Sequence, residues 1–301
     1  MGYDVTLEVD SRSALGEGPF WHRDKGLLYW VDIEGKLFHI YDPESGENNS
    51  YKTPLTIGAV VPASNYGFIA AADNGFYRYT PEENRMDAIK IIDGIPPGCR
   101  MNDGKCDPAG RFWAGTIGPD SQASLYRLGA DYSVGVMEKG VTVSNGLVWD
   151  TGRSLMYYID TPTRTVVSYN YQKSTGSISD KQVVIHVPAN LGYPDGMTID
   201  GEGKLWIALW NGGCLTRWDP DSGELLEAID IPAKNVTSCA FGGEQLDTLF
   251  ITTAKTGMSD DDLERYPLAG SLFSVKPGVK GHPMDVFVDR NPRDLTFSED
   301  S

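Results

Sequence analysis

Hydrophobic positions along this chain fall in short β-branched or aromatic runs bounded by Gly, Asp, Asn and Pro. Leu27-Leu28-Tyr29-Trp30-Val31-Asp32 is one such run. Leu37-Phe38-His39-Ile40-Tyr41 follows after Glu34-Gly35, a hairpin signal, and Asp42-Pro43-Glu44-Ser45-Gly46 reads as the next turn. No long segment carries a convincing helical apolar period, so the pattern predicts short strands throughout.

The runs recur as a unit. Asp107-Pro108-Ala109-Gly110-Arg111-Phe112-Trp113 is matched by Asp150-Thr151-Gly152-Arg153-Ser154-Leu155-Met156 and by Asp200-Gly201-Glu202-Gly203-Lys204-Leu205-Trp206. Units begin near Gly18, Ala59, Asn102, Asn145, Asp195 and Ser238. A period of about 40–50 residues with several strands per unit is the signature of a propeller blade. The expected fold is therefore all-β, a six-bladed β-propeller, with residues 1–301 forming a single domain. Val5-Thr6-Leu7-Glu8-Val9 precedes the first full unit and Met284-Asp285-Val286-Phe287-Val288 follows the last. The N-terminal strand is expected to join the last blade, close the ring and remove an exposed edge. Residues after Asp289 read as a polar tail.

Charge narrows the choice of partner. The formal net charge of −16 argues against nucleic acid or an anionic membrane, which both require a basic face. No apolar run is long enough to span a bilayer, and no basic-then-apolar leader opens the chain, so the cytoplasm is the expected location. Cys99, Cys106, Cys214 and Cys239 form no metal or redox spacing and are expected as free thiols. His22, His39, His186 and His282 show no ligand spacing and are expected at strand ends or on the surface.

The candidate chemistry comes from the repeat. Just before each inner strand, the units carry Glu17, Ala59, Asn102, Asn145, Asp195 and Ser238. The first strand of each propeller blade lines the central channel, so these positions face one another there. Four of the six are carboxylates or amides. Taken singly they are turn residues. Four together, pointing inward, are poorly solvated and mutually repulsive, and a divalent cation would satisfy them all. Carboxylate and amide oxygens suit calcium, magnesium or manganese; zinc and iron(II) stay open. Arg100, two residues before Asn102, falls on the same side of its strand and can donate to a carboxylate or a sugar hydroxyl. No nucleophile elbow, phosphate loop or dinucleotide fingerprint is present.

Five phrases together resemble one family. They are Leu15-Gly16-Glu17-Gly18-Pro19-Phe20-Trp21, Arg100-Met101-Asn102-Asp103-Gly104-Lys105-Cys106-Asp107-Pro108-Ala109-Gly110-Arg111, Ser144-Asn145-Gly146-Leu147, Pro194-Asp195-Gly196-Met197 and Leu268-Ala269-Gly270-Ser271-Leu272-Phe273. The family is that of senescence marker protein 30 (regucalcin), the gluconolactonases and the luciferin-regenerating enzyme. The resemblance implies a six-bladed propeller with one divalent metal in the central channel and hydrolysis of sugar lactones. It implies Glu17, Asn145 and Asp195 as metal ligands. It places Arg100 and Asn102 at the substrate, with Asn102 also near the metal, and Asp120 at an acidic substrate-contacting position. Met101 stands where the family usually has Phe, and the loop from Pro119 to Ser124 is shorter than in the animal members. Substrate choice is thus the least transferable property.

The reaction so implied is opening of an aldonolactone, gluconolactone-like, to the aldonic acid. A metal would activate water, with Asp195 as general base. Two other readings compete. One is a different metal-dependent hydrolysis on the same site, of an ester, an organophosphate or a luciferin-derived substrate. The other is a non-enzymatic calcium-binding regulatory propeller or scaffold, which has no need of four oxygen ligands at one channel mouth. The expected partner is a small-molecule sugar lactone, and the expected assembly is a monomer or weak homo-oligomer.

Overall fold

The computed structural model describes residues 2–65 and 67–290, so the expected tail from residue 291 lies outside the described residues. Six four-stranded antiparallel sheets follow one another around a central axis, as the repeat predicts. Their innermost strands are Gly16–His22, Ile57–Pro62, Arg100–Cys106, Ser144–Asp150, Tyr193–Ile199 and Asn235–Gly242. In blades one to five the remaining strands follow outward in sequence order. Blade six is completed differently. Thr6–Val9 pairs with Leu272–Val275 as its outermost strand, which closes the ring as expected.

The repeated aspartate phrase builds a tight turn between the first and second strands. Asp107 is fully buried and accepts from the backbone N–H groups of Ala109 and Arg111, from Arg111 Nε at 2.6 Å and from Trp113 Nε1 at 2.9 Å. Asp200 does the same with Glu202, Lys204 and Trp206, and pairs with Arg217 at 2.8 Å. A buried carboxylate is tolerable only with such a full set of donors. Gly110 and Gly203 have φ of 75° and 76°, a conformation other residues adopt at a cost.

The innermost strands pack so closely at the channel that their side chains are restricted. A Cβ on Gly146 would lie 2.7 Å from the carbonyl oxygen of Asp195, and one on Gly196 would lie 2.1 Å from Ser238 Oγ. At these two positions glycine after the ring residue is therefore a packing requirement. At the same level each innermost strand carries a register irregularity against its neighbour, as between Asn145 and Leu147. β-Bulges re-aim side chains in this way.

The bulges correct the expected ring in two blades. In blade two the irregularity lies between Ile57 and Ala59, so Ile57 takes the place of Asn145, and Ala59 that of Leu147. In blade six it lies between Val236 and Ser238, so Ser238 also stands past the ring. Both strands lack the Asx-Gly pair that fixes the register in the sequence.

One further expectation changes, and two features were not anticipated. His39 is buried mid-strand, stacked on Trp30 with ring centroids 3.9 Å apart. A short helix, Asp260–Arg265, is started by a capping box in which Ser259 and Asp262 bond reciprocally. The run Met284–Val288 is not a blade strand but part of a strap across the ends of the innermost strands. Lys280 and Gly281 bond to Gly201 and Leu246, Met284 Sδ accepts from Trp21 N–H, Phe287 bonds to Pro62 and Ser64, and Val288 N–H donates to Gly110. Asp289 pairs with Arg78 at 2.7 Å and accepts from Tyr132 Oη at 2.6 Å. The strap thus touches five of the six blades. Among the described residues all four cysteines are free, as expected.

Two contacts therefore close the ring, and each predicts an effect on stability. Phe287 is fully buried and stacks on Tyr132, so Phe287→Ala should cost about 3–5 kcal/mol in denaturant unfolding. Deleting residues 1–10 should lower the unfolding midpoint. An unchanged midpoint in the deletion would remove the closing role of the N-terminal strand.

Candidate active site

At the starts of the innermost strands the channel opens into a cavity of about 400 Å³. Glu17, Arg100, Asn102, Asn145 and Asp195 all line it, so five of the six residues singled out from the sequence converge. Asp120 does not join them. It lies on an exposed turn at φ 51° and is absent from the cavity lining, where its own blade contributes Ile117 instead. A larger cavity, about 690 Å³, opens at the opposite end beside the strap. It mixes Arg153, Lys173 and His282 with Asp150, Glu202 and Asp285 and has no ring of convergent oxygens, so the smaller cavity is the candidate site.

A chain of hydrogen bonds fixes the amides. Thr161 Oγ1 donates to the carbonyl of Pro194 at 2.8 Å and accepts from Asn145 Nδ2 at 2.8 Å. That leaves Asn145 Oδ1 turned to the channel. Asn102 Nδ2 donates to this oxygen and to the Ser144 carbonyl, both at 2.9 Å. Arg100 in turn donates one nitrogen to Asn102 Oδ1 and to the Met101 carbonyl, both at 2.9 Å. Thr161 was not legible as a site residue. Its signal is positional, since it directly follows the strand that pairs with the Asn145 strand.

The carboxylates are in the opposite condition. Glu17 accepts from the N–H of Gly18 at 2.9 Å, but no cation pairs with it or with Asp195 among the described residues. Burial pushes the pKa of Glu17 up, and the charge of Asp103 adds to the effect. Burial likewise lifts Asp195 well above the ordinary carboxylate range, reinforced by Glu17 and then Asp103. Asp103, itself buried and raised by burial, is a third acid within a phrase noted from sequence but given no role there. Lys105 is a buried cation whose charge acts on Asp103. Burial lowers its pKa, and its Nζ is held by the Met197 carbonyl at 2.8 Å. No group of three or more His, Cys, Asp or Glu side chains in metal-binding arrangement occurs among the described residues. The donor set here is two carboxylates and an amide. Two buried acids without a paired cation, with an amide oxygen lining the same cavity, fit a hard divalent cation.

Comparison with known proteins identifies the family. The family model described as SMP-30/Gluconolactonase/LRE-like region matches residues 15–255. The chain is similar to the Bacillus subtilis (strain 168) protein provisionally named sugar lactone lactonase YvrE, with 44% identity over 93% of this chain and 97% of that one. It is similar to pentonolactonase XacC of Haloferax volcanii, with 37% identity over 93% and 96%. Among solved structures, a luciferin-regenerating enzyme superimposes with a TM-score of 0.89 at 32% identity, covering 95% of this chain and 100% of that one.

The buried acids make stability depend on pH in a definite sense. Their folded pKa values are raised above 4.5 for Glu17 and 3.8 for Asp195, so stability present at low pH is lost as pH rises through the folded values. In divalent-free buffer, wild type should lose Tm relative to Asp195→Asn as pH rises above the ordinary carboxylate range. Parallel curves for the two proteins would mean that the charge is already compensated.

Proposed function

The chain belongs to the SMP-30/gluconolactonase/LRE-like family, and we propose that it is an enzyme that hydrolyses sugar lactones with the help of one divalent cation. The observation that carries this reading is the convergence of Glu17, Asn102, Asn145 and Asp195 with Arg100 in one open cavity, where two buried acids lack a counter-charge. The named lactonases among the relatives support the substrate class.

Glu17, Asn145 and Asp195 are the proposed ligands, with calcium, magnesium, manganese, zinc or iron(II) as the ion. Bound there, such an ion would supply Lewis-acid polarisation of the lactone carbonyl and acidify the attacking water. The protein's own groups do the rest. Asp195 takes the proton of the water as its oxygen adds to the carbonyl carbon. The Arg100 guanidinium keeps nitrogens beyond the one committed to Asn102 and Met101, and these can donate to charge developing on the carbonyl oxygen. When the ring C–O bond breaks, its oxygen receives a proton and the product leaves as a hydroxy acid. Asn102 orients both Arg100 and Asn145, so its proposed role at the substrate is shared with positioning. Asp120 is proposed at most as a contact for a substrate group reaching beyond the cavity.

A pH-indicator assay tests this, using protein charged with one defined divalent ion and a panel of pentono- and hexonolactones. Asp195→Ala should lower kcat/KM by about 10²–10⁴-fold. Arg100→Ala should lower it by about 10²–10³-fold. Asn145→Ala should raise the ion concentration needed for half-maximal rate. Full activity of thoroughly chelated protein would refute the proposed site.

A further inference from the structure

The ring of oxygens forms only the floor of the cavity, and the layer above it has a different chemistry. Leu15, Arg100, Val143 and Tyr193 each stand two residues before Glu17, Asn102, Asn145 and Asp195, and all four line the cavity one layer up. Only one of them is charged.

The ends of the second strands complete this layer, and here the blades differ. In blade one, Asp32 ends the second strand and holds the backbone N–H groups of Ala14 and Leu15, both at 2.9 Å. In blade four, Asp160 holds Thr142 and Val143 in the same way. In blade two, Asp73 follows its second strand and holds Thr56 at 3.0 Å. These aspartates are occupied by the backbone. In blades three and five the corresponding residues are Ile117 and Trp210, and both line the cavity. Trp210 lies directly across the strand pair from Tyr193. The Tyr193 ring is itself capped by the Arg164 guanidinium, 3.7 Å from its centroid. The two repeat positions released from the backbone have thus become apolar wall.

We infer that the cavity selects lactones whose exocyclic tail ends in an apolar group, namely 6-deoxyhexonolactones, with Trp210 and Ile117 as the specificity-determining residues. This rests on the lactonase reading above. With the carbonyl at the oxygen floor, the terminal carbon of a hexono-1,4-lactone is the atom farthest from it and meets the upper layer. A methyl group there loses nothing on leaving water. A hydroxymethyl group must give up hydrogen bonds that the side chains of Leu15, Ile117 and Val143 cannot replace; Trp210 adds apolar area and a single donor, and no acceptor. Arg100 serves the floor, and Glu34 and Asn211 lie exposed at the rim.

The test compares kcat/KM for matched pairs, 6-deoxygalactono- against galactono-1,4-lactone and 6-deoxymannono- against mannono-1,4-lactone, in wild type, Trp210→Ala and Ile117→Ser. Wild type should favour the deoxy member of at least one pair by about 10–100-fold. Both variants should reduce that ratio severalfold, and because the ratio is taken within one protein it is insensitive to partial unfolding. Should Trp210→Ala fail to fold, Ile117→Ser alone decides. Equal or reversed preference in wild type overturns the inference, as does a preference unchanged in the variants. Absence of hydrolysis of all four lactones, with each divalent ion in turn, instead overturns the lactonase reading itself.

Discussion

Glu17 and Asp195 are buried together in the channel with Asp103 beside them, and no cation pairs with the first two among the described residues. Water is the usual remedy for such repulsion, and burial withholds it. The protein tolerates the arrangement because six sheets hold the innermost strands in place from outside, and the ring cannot relax without opening a blade interface. Elsewhere in the same molecule buried acids are treated very differently. Asp107 and Asp200 are each surrounded by backbone donors, a tryptophan N–H and an arginine. The contrast supports the proposal that the channel acids are a functional group. Acids buried without a paired cation, in a protein that supplies one to Asp107 and Asp200, are the groups best placed to meet a cation that binds.

The repeat explains how this is built economically. Each blade offers the channel the same few positions: the ring residue, the residue two before it and the end of the second strand. What differs is the use of each position. Blades one, two and four give the last position to an aspartate that holds the backbone. Blades three and five give it to a side chain facing the cavity. Ile57 leaves the ring of blade two apolar. The floor is consequently polar on one side of the axis, where Asn102, Asn145 and Asp195 come from successive blades, with Glu17 completing it. Divergence among nearly identical units, more than any single motif, gives the site its direction.

This accounts for what could and could not be read from the chain. Strand runs, turn glycines and the aspartate phrase are local, so blade number and ring closure were legible. The Asx-Gly pairs were legible too, because a glycine is needed where Gly146 meets Asp195 and Gly196 meets Ser238. Blades two and six carry no such pair, and there the register was misplaced at Ala59 and Ser238. Asp103 was passed over because it follows a residue already assigned, and the bulge that brings it into the electrostatics of Glu17 has no sequence signature. His39 is buried by its cross-strand neighbour Trp30, a pairing its residue type does not announce, and the strap depends on five separate blades. Asp120 was carried by family likeness alone, and the exposed turn that holds it keeps it off the cavity wall.

The strap bears on the site although it lies at the other end of the channel. A propeller open at both ends would let water reach the acids from below and weaken any field they create. Met284 lies against Trp21 and, with Lys105 and Asp103, borders the small void under the ring. Lys105 is buried with its Nζ held by the Met197 carbonyl. Lys105 and Met284 thus narrow the channel beneath the ring to that small void. A cation and a substrate entering from the mouth meet the apolar layer first and the oxygens second. On the proposed function the upper wall would filter the substrate before the floor acts on it, with selectivity placed partly on the ends of two second strands and the chemistry on the innermost strands.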